Sequence, residues 1–207
     1  MPTGVLWDFG GVILESPFDG FARYEEEHGL APGFLRGVIA TDSDTNAWAR
    51  LERGELDAAE FTALFEDECQ AAGGTVDGAG VLAALTGRPR PEMVQAVRRC
   101  AERLPTGLVT NNFTLGGGGG PRPDLEAILA LFHVVVESSK VGLRKPDPRI
   151  YELACEELGI TPAGTVFLDD LGVNLKPARA MGMTTIKVTD AATALAELEG
   201  VLGFPLG

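Results

Sequence analysis

Four short stretches of this chain hold side chains that could do chemistry together. The first, Val5-Leu6-Trp7-Asp8-Phe9-Gly10-Gly11-Val12-Ile13-Leu14, runs from an apolar segment of strand length into a carboxylate and two glycines. A carboxylate at such a strand end can attack phosphorus and form an acyl-phosphate, dividing one difficult hydrolysis into two easier steps. The glycines let the backbone approach an anion and aim its N–H groups at phosphate oxygens. The second stretch, Leu108-Val109-Thr110-Asn111-Asn112, ends in a hydroxyl and amides that can hold a phosphoryl oxygen, or equally cap a helix or begin a turn. In the third, Lys145 precedes Pro146-Asp147-Pro148, a proline-fixed helix start. An ammonium there would offset charge on the nucleophile and the phosphoryl group, although a surface lysine is the plain alternative, and Asp147 reads as a helix cap. The fourth, Val166-Phe167-Leu168-Asp169-Asp170, closes an apolar run on adjacent acids. Two carboxylates packed together repel unless a hard cation sits with them, and magnesium would also orient a phosphoryl group for in-line attack.

These residues need a scaffold that brings distant strand ends to one edge. Apolar runs bounded by turn residues predict strands over Val5 to Trp7, Gly107 to Thr110, Val134 to Glu137, Thr165 to Leu168 and Thr185 to Val188. Apolar spacing of three and four predicts helices over Met93 to Leu104, Leu125 to Leu131, Arg149 to Leu158 and Leu175 to Met181. This alternation is that of an α/β protein with a Rossmann-like parallel sheet covered by helices. Between Glu15 and about Arg90 strands give way to helical patterns over Gly20 to His28, Pro32 to Ala40, Asn46 to Arg53 and Ala58 to Ala72. The expected organisation is a core of residues 1–15 and 91–207 with a helical cap, residues 16–90, inserted over the edge of the sheet where ligands bind in open α/β folds. The run Gly116 to Gly120 loses too much entropy on ordering to form a helix or packed strand and is expected to be a flexible loop.

Composition narrows the partners. With 207 residues and 45% hydrophobic content the chain can bury a substantial core, while a net charge of -13 opposes binding to a polyanion such as nucleic acid. Apolar runs are strand-sized, so no membrane segment is expected. Cys69, Cys100 and Cys155 are odd in number and widely spaced, which suits buried thiols in a soluble cytoplasmic protein. Trp48 and the aromatic residues Phe18, Phe21 and Tyr24 read as core of the cap rather than substrate pocket, and His28 and His133 as structural.

Carboxylate, Thr-Asn, Lys and paired acids, in that order on successive strands with a helical insertion after the first, resemble the haloacid dehalogenase superfamily along the whole chain. The likeness is greatest to the phosphatase domain of soluble epoxide hydrolases and a related domain of some acyl-CoA dehydrogenase family proteins, and extends to Leu51-Glu52-Arg53-Gly54-Glu55 and to Phe167 through Arg179. That resemblance implies a phosphatase acting on a small phosphate ester, with Asp8, Thr110 and Lys145 catalytic. It implies that Phe9, Gly10, Thr110, Asn111 and Lys145 bind phosphate, and that Asp8, the Gly10 carbonyl and Asp170 hold Mg2+ with Asp169 beside them and Asn174 in support. One departure stands out: Gly10 occupies the position of the aspartate that usually serves such phosphatases as general acid and base. Glu15 and Asp19 are candidate substitutes. A 2-haloacid dehalogenase would use Asp8 on carbon without magnesium, against which the tandem acids argue. A phosphonate-cleaving relative would need a cap lysine, and no lysine precedes Lys140. A non-catalytic phosphate-binding or regulatory module is the remaining alternative, against which Asp8 and Lys145 speak.

Overall fold

A computed structural model describes residues 1–85, 87–111 and 122–207. The glycine run 116–120 lies outside these residues, as does Asn112. Among the described residues the elements run β1 (Gly4–Trp7), α1 (Pro17–His28), α2 (Phe34–Ala40), α3 (Ala47–Glu52), α4 (Ala58–Ala71), α5 (Gly78–Ala83), α6 (Pro91–Ala101), β2 (Thr106–Thr110) and α7 (Pro123–Leu129). They continue with β3 (Val134–Glu137), α8 (Ser138–Val141), α9 (Pro148–Leu158), β4 (Thr165–Asp169), α10 (Gly172–Ala180), β5 (Thr184–Lys187) and α11 (Ala191–Leu202).

The strands form one parallel sheet in the order β3-β2-β1-β4-β5. The chain therefore starts at the centre, builds outward through β2 and β3, then crosses to the other side of β1. The crevice at the strands' C-terminal ends, where that order reverses, is the place where open α/β sheets take ligands. Register aligns Trp7 with both Leu108 and Leu168, which sets the residues following each strand side by side.

Alternation along the strands supplies a core to each face. Val5, Trp7, Leu108, Val166 and Leu168 pack with Met93, Val97 and Leu198 on one side. Leu6, Val109 and Phe167 pack with Ile150, Tyr151 and Leu175 on the other. Each fully buried large side chain of this kind contributes about 1.5–3 kcal/mol. Helices α1 to α5 have an apolar cluster of their own, with Trp48 at its centre: its ring meets Phe21 edge-on at 5.4 Å and Phe61 at 5.8 Å. Trp48 is thus core, as its spacing with Leu51 predicts.

Local signals explain most boundaries. Ser16 accepts from the Phe18 amide and Pro17 opens α1, so that helix starts a turn earlier than its apolar spacing suggests. Asp57 and Glu60 make a reciprocal capping box at α4, and Asp147 caps α9 ahead of Pro148. Three helices, α5, α8 and α11, are additions to the sequence-based assignment. The segment Gly78–Ala83 contains two glycines and little helical propensity, and is held by the Asp77 cap and buried Val81. The apolar spacing of four in α11 buries Ala194, Leu198 and Leu202. The cysteines are free and buried, burial pushing the thiols of Cys69 and Cys100 up to about 12. Among the described residues no helix is long and apolar enough to cross a membrane.

Candidate active site

The three central strands deliver their terminal side chains to one edge. Asp8 follows β1, its amide donating to the Leu168 carbonyl at 2.9 Å, which locks the turn beside β4. Thr110 ends β2, Asp169 ends β4 with Asp170 following, and Lys145 arrives in the loop before α9. Asp8, Thr110, Lys145 and Asp169 are buried; Asp170 and Asn111 are partly so.

Lys145 is the hub. Its ammonium, 1% exposed at the side chain, lies 2.7 Å from Asp8 Oδ1 and 2.7 Å from Asp169 Oδ2. Burial pulls its pKa down, but Asp169 and Asp8 together outweigh that and hold it above the usual lysine value. Asp8 Oδ1 also accepts from its neighbour's amide, Phe9 N, at 2.6 Å. That leaves the other oxygen, Oδ2, without a hydrogen bond among the described residues. Burial raises the Asp8 carboxyl well above the ordinary range, with Lys145 pulling against it and Asp169 and Asp170 adding to the rise.

The tandem acids differ in their surroundings. Asp169 accepts from Lys145, from the Leu171 amide at 2.8 Å and from Asn174 Nδ2 at 3.0 and 3.1 Å, so both its oxygens are engaged. Tyr151 in turn donates to the Asn174 carbonyl at 2.8 Å. Among the described residues none but its own amide donates to the Asp170 carboxylate. Burial and the neighbouring Asp169 charge push its carboxyl up to about 6. Oxygens of Asp8, Asp169 and Asp170 lie within 4.8 Å of one another. With all three ionised, the carboxylates exceed the one ammonium by about two negative charges, and a hard divalent cation with oxygen ligands, which would favour that ionised state, fits both the charge and the donor type.

The paired glycines have separate jobs. Gly11 has φ +76°, and a Cβ there would stand 2.6 Å from Asp170 Cγ. Its missing side chain is the space the second acid occupies. Gly11→Ala is therefore expected to cost about 1–2 kcal/mol through its left-handed backbone alone, and to displace Asp170. Thermal melts with and without magnesium check this: the variant should lose most of the metal-induced rise in Tm. Gly10 carries no such strain, and its Cβ would meet Pro17 Cδ at 3.4 Å, an ordinary contact.

Asn111 hydrogen-bonds to the Lys145 backbone and to Glu52. Its Oδ1 accepts from the Lys145 amide at 2.7 Å, and its Nδ2 donates to the Lys145 carbonyl at 2.9 Å and to Glu52 Oε2 at 3.2 Å. Glu52 and Arg144 border the site without a role from the sequence, although Glu52 falls in the Leu51–Glu55 stretch that carries the resemblance. One signal was available: Glu52 lies four residues after Trp48, a carboxylate on the apolar face of its helix. Of the substitutes considered for the absent acid, Glu15 accepts from the Arg88 amide and Asp19 is exposed in the first turn of α1.

Known proteins resemble this chain along its length. A family model described as haloacid dehalogenase-like hydrolase matches residues 2–182. The chain is 37% identical over 212 residues to mouse acyl-CoA dehydrogenase family member 10, covering 98% of this chain and 19% of that protein. It is 33% identical over 218 residues to pig bifunctional epoxide hydrolase 2, covering 97% of this chain and 39% of that protein. It thus spans well under half the length of either relative. A sesquiterpene phosphatase of Aspergillus oryzae is 25% identical over 174 residues, 80% of this chain and 84% of that protein. Among solved structures, a HAD family enzyme of Bacteroides thetaiotaomicron in complex with magnesium and inorganic phosphate superposes with a TM-score of 0.62 at 19% identity, covering 90% of this chain and 94% of that one.

Proposed function

From the premise that this chain belongs to the haloacid dehalogenase-like hydrolase family, we propose that it is a magnesium-dependent phosphatase that hydrolyses a small phosphate monoester through an aspartyl-phosphate on Asp8. The observation that carries the reading is the excess of negative charge at the strand ends: Asp8, Asp169 and Asp170 share one ammonium, that of Lys145. A haloacid dehalogenase has no use for a metal-binding surplus of this kind. The relative named as a phosphatase and the magnesium and phosphate complex of a structural neighbour point the same way. Residues 16–90 form the cap in this reading, and residues 1–15 with 91–207 the core.

Asp8, the Gly10 carbonyl and Asp170 would hold magnesium, with Asp169 beside them. Bound there, the ion would supply charge screening between two anions. Asp8 Oδ2 attacks phosphorus, the bond to the leaving oxygen breaks, and a phosphoryl group is left on Asp8. Lys145 and Thr110, with the amides of Phe9 and Gly10, bind the phosphoryl oxygens as charge builds on them, and Asn111 holds Lys145 in place. Water then attacks the same phosphorus and frees Asp8. Hydrolysis of p-nitrophenyl phosphate that appears with magnesium and stops with chelator tests the reading. Metal-independent chloride release from 2-chloropropionate, with no phosphate release, would replace it by dehalogenation.

The leaving oxygen must also gain a proton, and Gly10 offers none. Gly10→Asp places a carboxyl at that position without backbone strain. It is expected to raise kcat/KM for an alkyl phosphate by about tenfold or more, a fraction of the roughly hundredfold to ten-thousandfold that a positioned acid contributes, and to change the aryl ester far less. Equal rates for wild type and Gly10→Asp on alkyl and aryl esters would mean that another group already supplies the proton.

A further inference from the structure

Glu52 ends α3 with its side chain only 10% exposed, in a position where an isolated carboxylate would be costly. Four donors surround it. Oε1 accepts from Trp48 Nε1 at 3.0 Å. Oε2 accepts from Arg144 Nε at 2.7 Å, with Arg144 Nη2 at 2.6 Å, and from Asn111 Nδ2 at 3.2 Å. Trp48 belongs to the helical segment that also carries Glu52, whereas Asn111 follows β2 and Arg144 lies in the loop between α8 and α9. Arg144 also donates to the Ser43 carbonyl at 2.8 Å, clasping the same helical segment a second time. Gly54, two residues beyond Glu52, lies flat against the carbonyl of Ser139, where any side chain would collide.

The sheet side of this contact leads directly to the reacting groups. Asn111 brackets Lys145 by both its backbone amide and its carbonyl, and Arg144 is the residue before it. The ammonium of Lys145 then reaches Asp8 and Asp169. A lysine has four flexible methylenes, so its Nζ is placed only as well as its backbone is. A misplacement of about 1 Å in such a group can cost up to about a hundredfold in rate.

We propose that Glu52 is a positioning residue: seated between Asn111 and Arg144, it couples the docked helical cap to the backbone of Lys145, so that the ammonium is aligned on Asp8 only when the cap is down. This rests on the phosphatase reading for its kinetic consequence, but the alignment of Lys145 is a property of the fold alone. The cap thereby does more than exclude water: it completes the charge constellation, through one carboxylate that touches neither substrate nor metal.

The test compares wild type, Glu52→Gln, Arg144→Gln and the double variant. Magnesium-dependent turnover of p-nitrophenyl phosphate should fall about 10- to 100-fold in kcat for Glu52→Gln, with KM held within about threefold. The double variant, which leaves no unpaired buried charge, should regain the wild-type Tm but not its kcat. In parallel, acetylation of the four lysines, read by mass spectrometry, should modify Lys145 slowly in wild type and faster in Glu52→Gln, while Lys140, Lys176 and Lys187 react alike in both. Loss of kcat that disappears when Tm is restored, or Lys145 equally protected in both proteins, overturns the coupling. Absence of phosphatase activity in wild type would sink the functional reading, and the acetylation contrast would still decide the coupling by itself.

Discussion

Asp8→Asn is expected to lower magnesium-dependent turnover of p-nitrophenyl phosphate by about ten-thousandfold or more, the scale seen when a nucleophile is removed from a covalent mechanism. The amide keeps the size of the carboxyl, and its oxygen can still accept from Phe9 N, the contact that is 2.6 Å in the wild type. Only the charge and the nucleophilic oxygen go. Burial disfavours ionised Asp8 in the folded chain, and Asp169 and Asp170 add repulsion. Removing its charge should therefore leave metal-free stability unchanged or higher. Paired measurements of initial rate and Tm separate lost chemistry from lost fold: turnover collapses while the melt does not. A variant that retains a tenth of the activity would remove Asp8 from the role of nucleophile.

Lys145→Met should act on both rate and stability. The side chain keeps its approximate length but loses the ammonium that lies 2.7 Å from each of two buried carboxylates. Breaking a buried ion pair by removing one partner costs about 3–5 kcal/mol, because the charges left behind remain out of water. Loss of one preorganised charge at the phosphoryl group costs a further factor of about 10² to 10³ in kcat. Urea denaturation should show the stability loss in metal-free buffer, and magnesium should recover part of it by replacing the missing positive charge. It should not recover the rate. A variant as stable and as active as wild type would mean that the ammonium plays no part in either balance.

The sequence carried the sheet because its strands are short apolar runs ending in polar residues with evident chemistry. Val5 to Trp7 closing on Asp8, and Val166 to Leu168 closing on Asp169, locate two strand ends from composition alone, and parallel pairing then sets them side by side. Residue type alone does not divide labour within the acidic pair; the family resemblance is what separates Asp170 from Asp169. Asp169 and Asp170 are identical in type and adjacent, and only the approach of Lys145 and Asn174 to one of them makes it the anchor of the lysine. The two glycines pose the same difficulty: Gly11 is required by its positive φ and by Asp170 in the space beside it, while Gly10 is not. The contact of Glu52 with Arg144 joins residues 92 apart in sequence, and no local pattern announces a pairing of that separation. Short helices such as α5 escape periodicity for another reason: its six residues fall short of two turns.

Asp8 is expected to accept a phosphoryl group beside a divalent ion. Beryllium fluoride mimics an acyl-phosphate, and fluorine NMR of the protein with this reagent reads its formation directly. With magnesium present, wild type should give bound resonances that disappear on adding chelator and are absent from Asp8→Asn. Bound resonances that persist without magnesium, or that survive in Asp8→Asn, would contradict it.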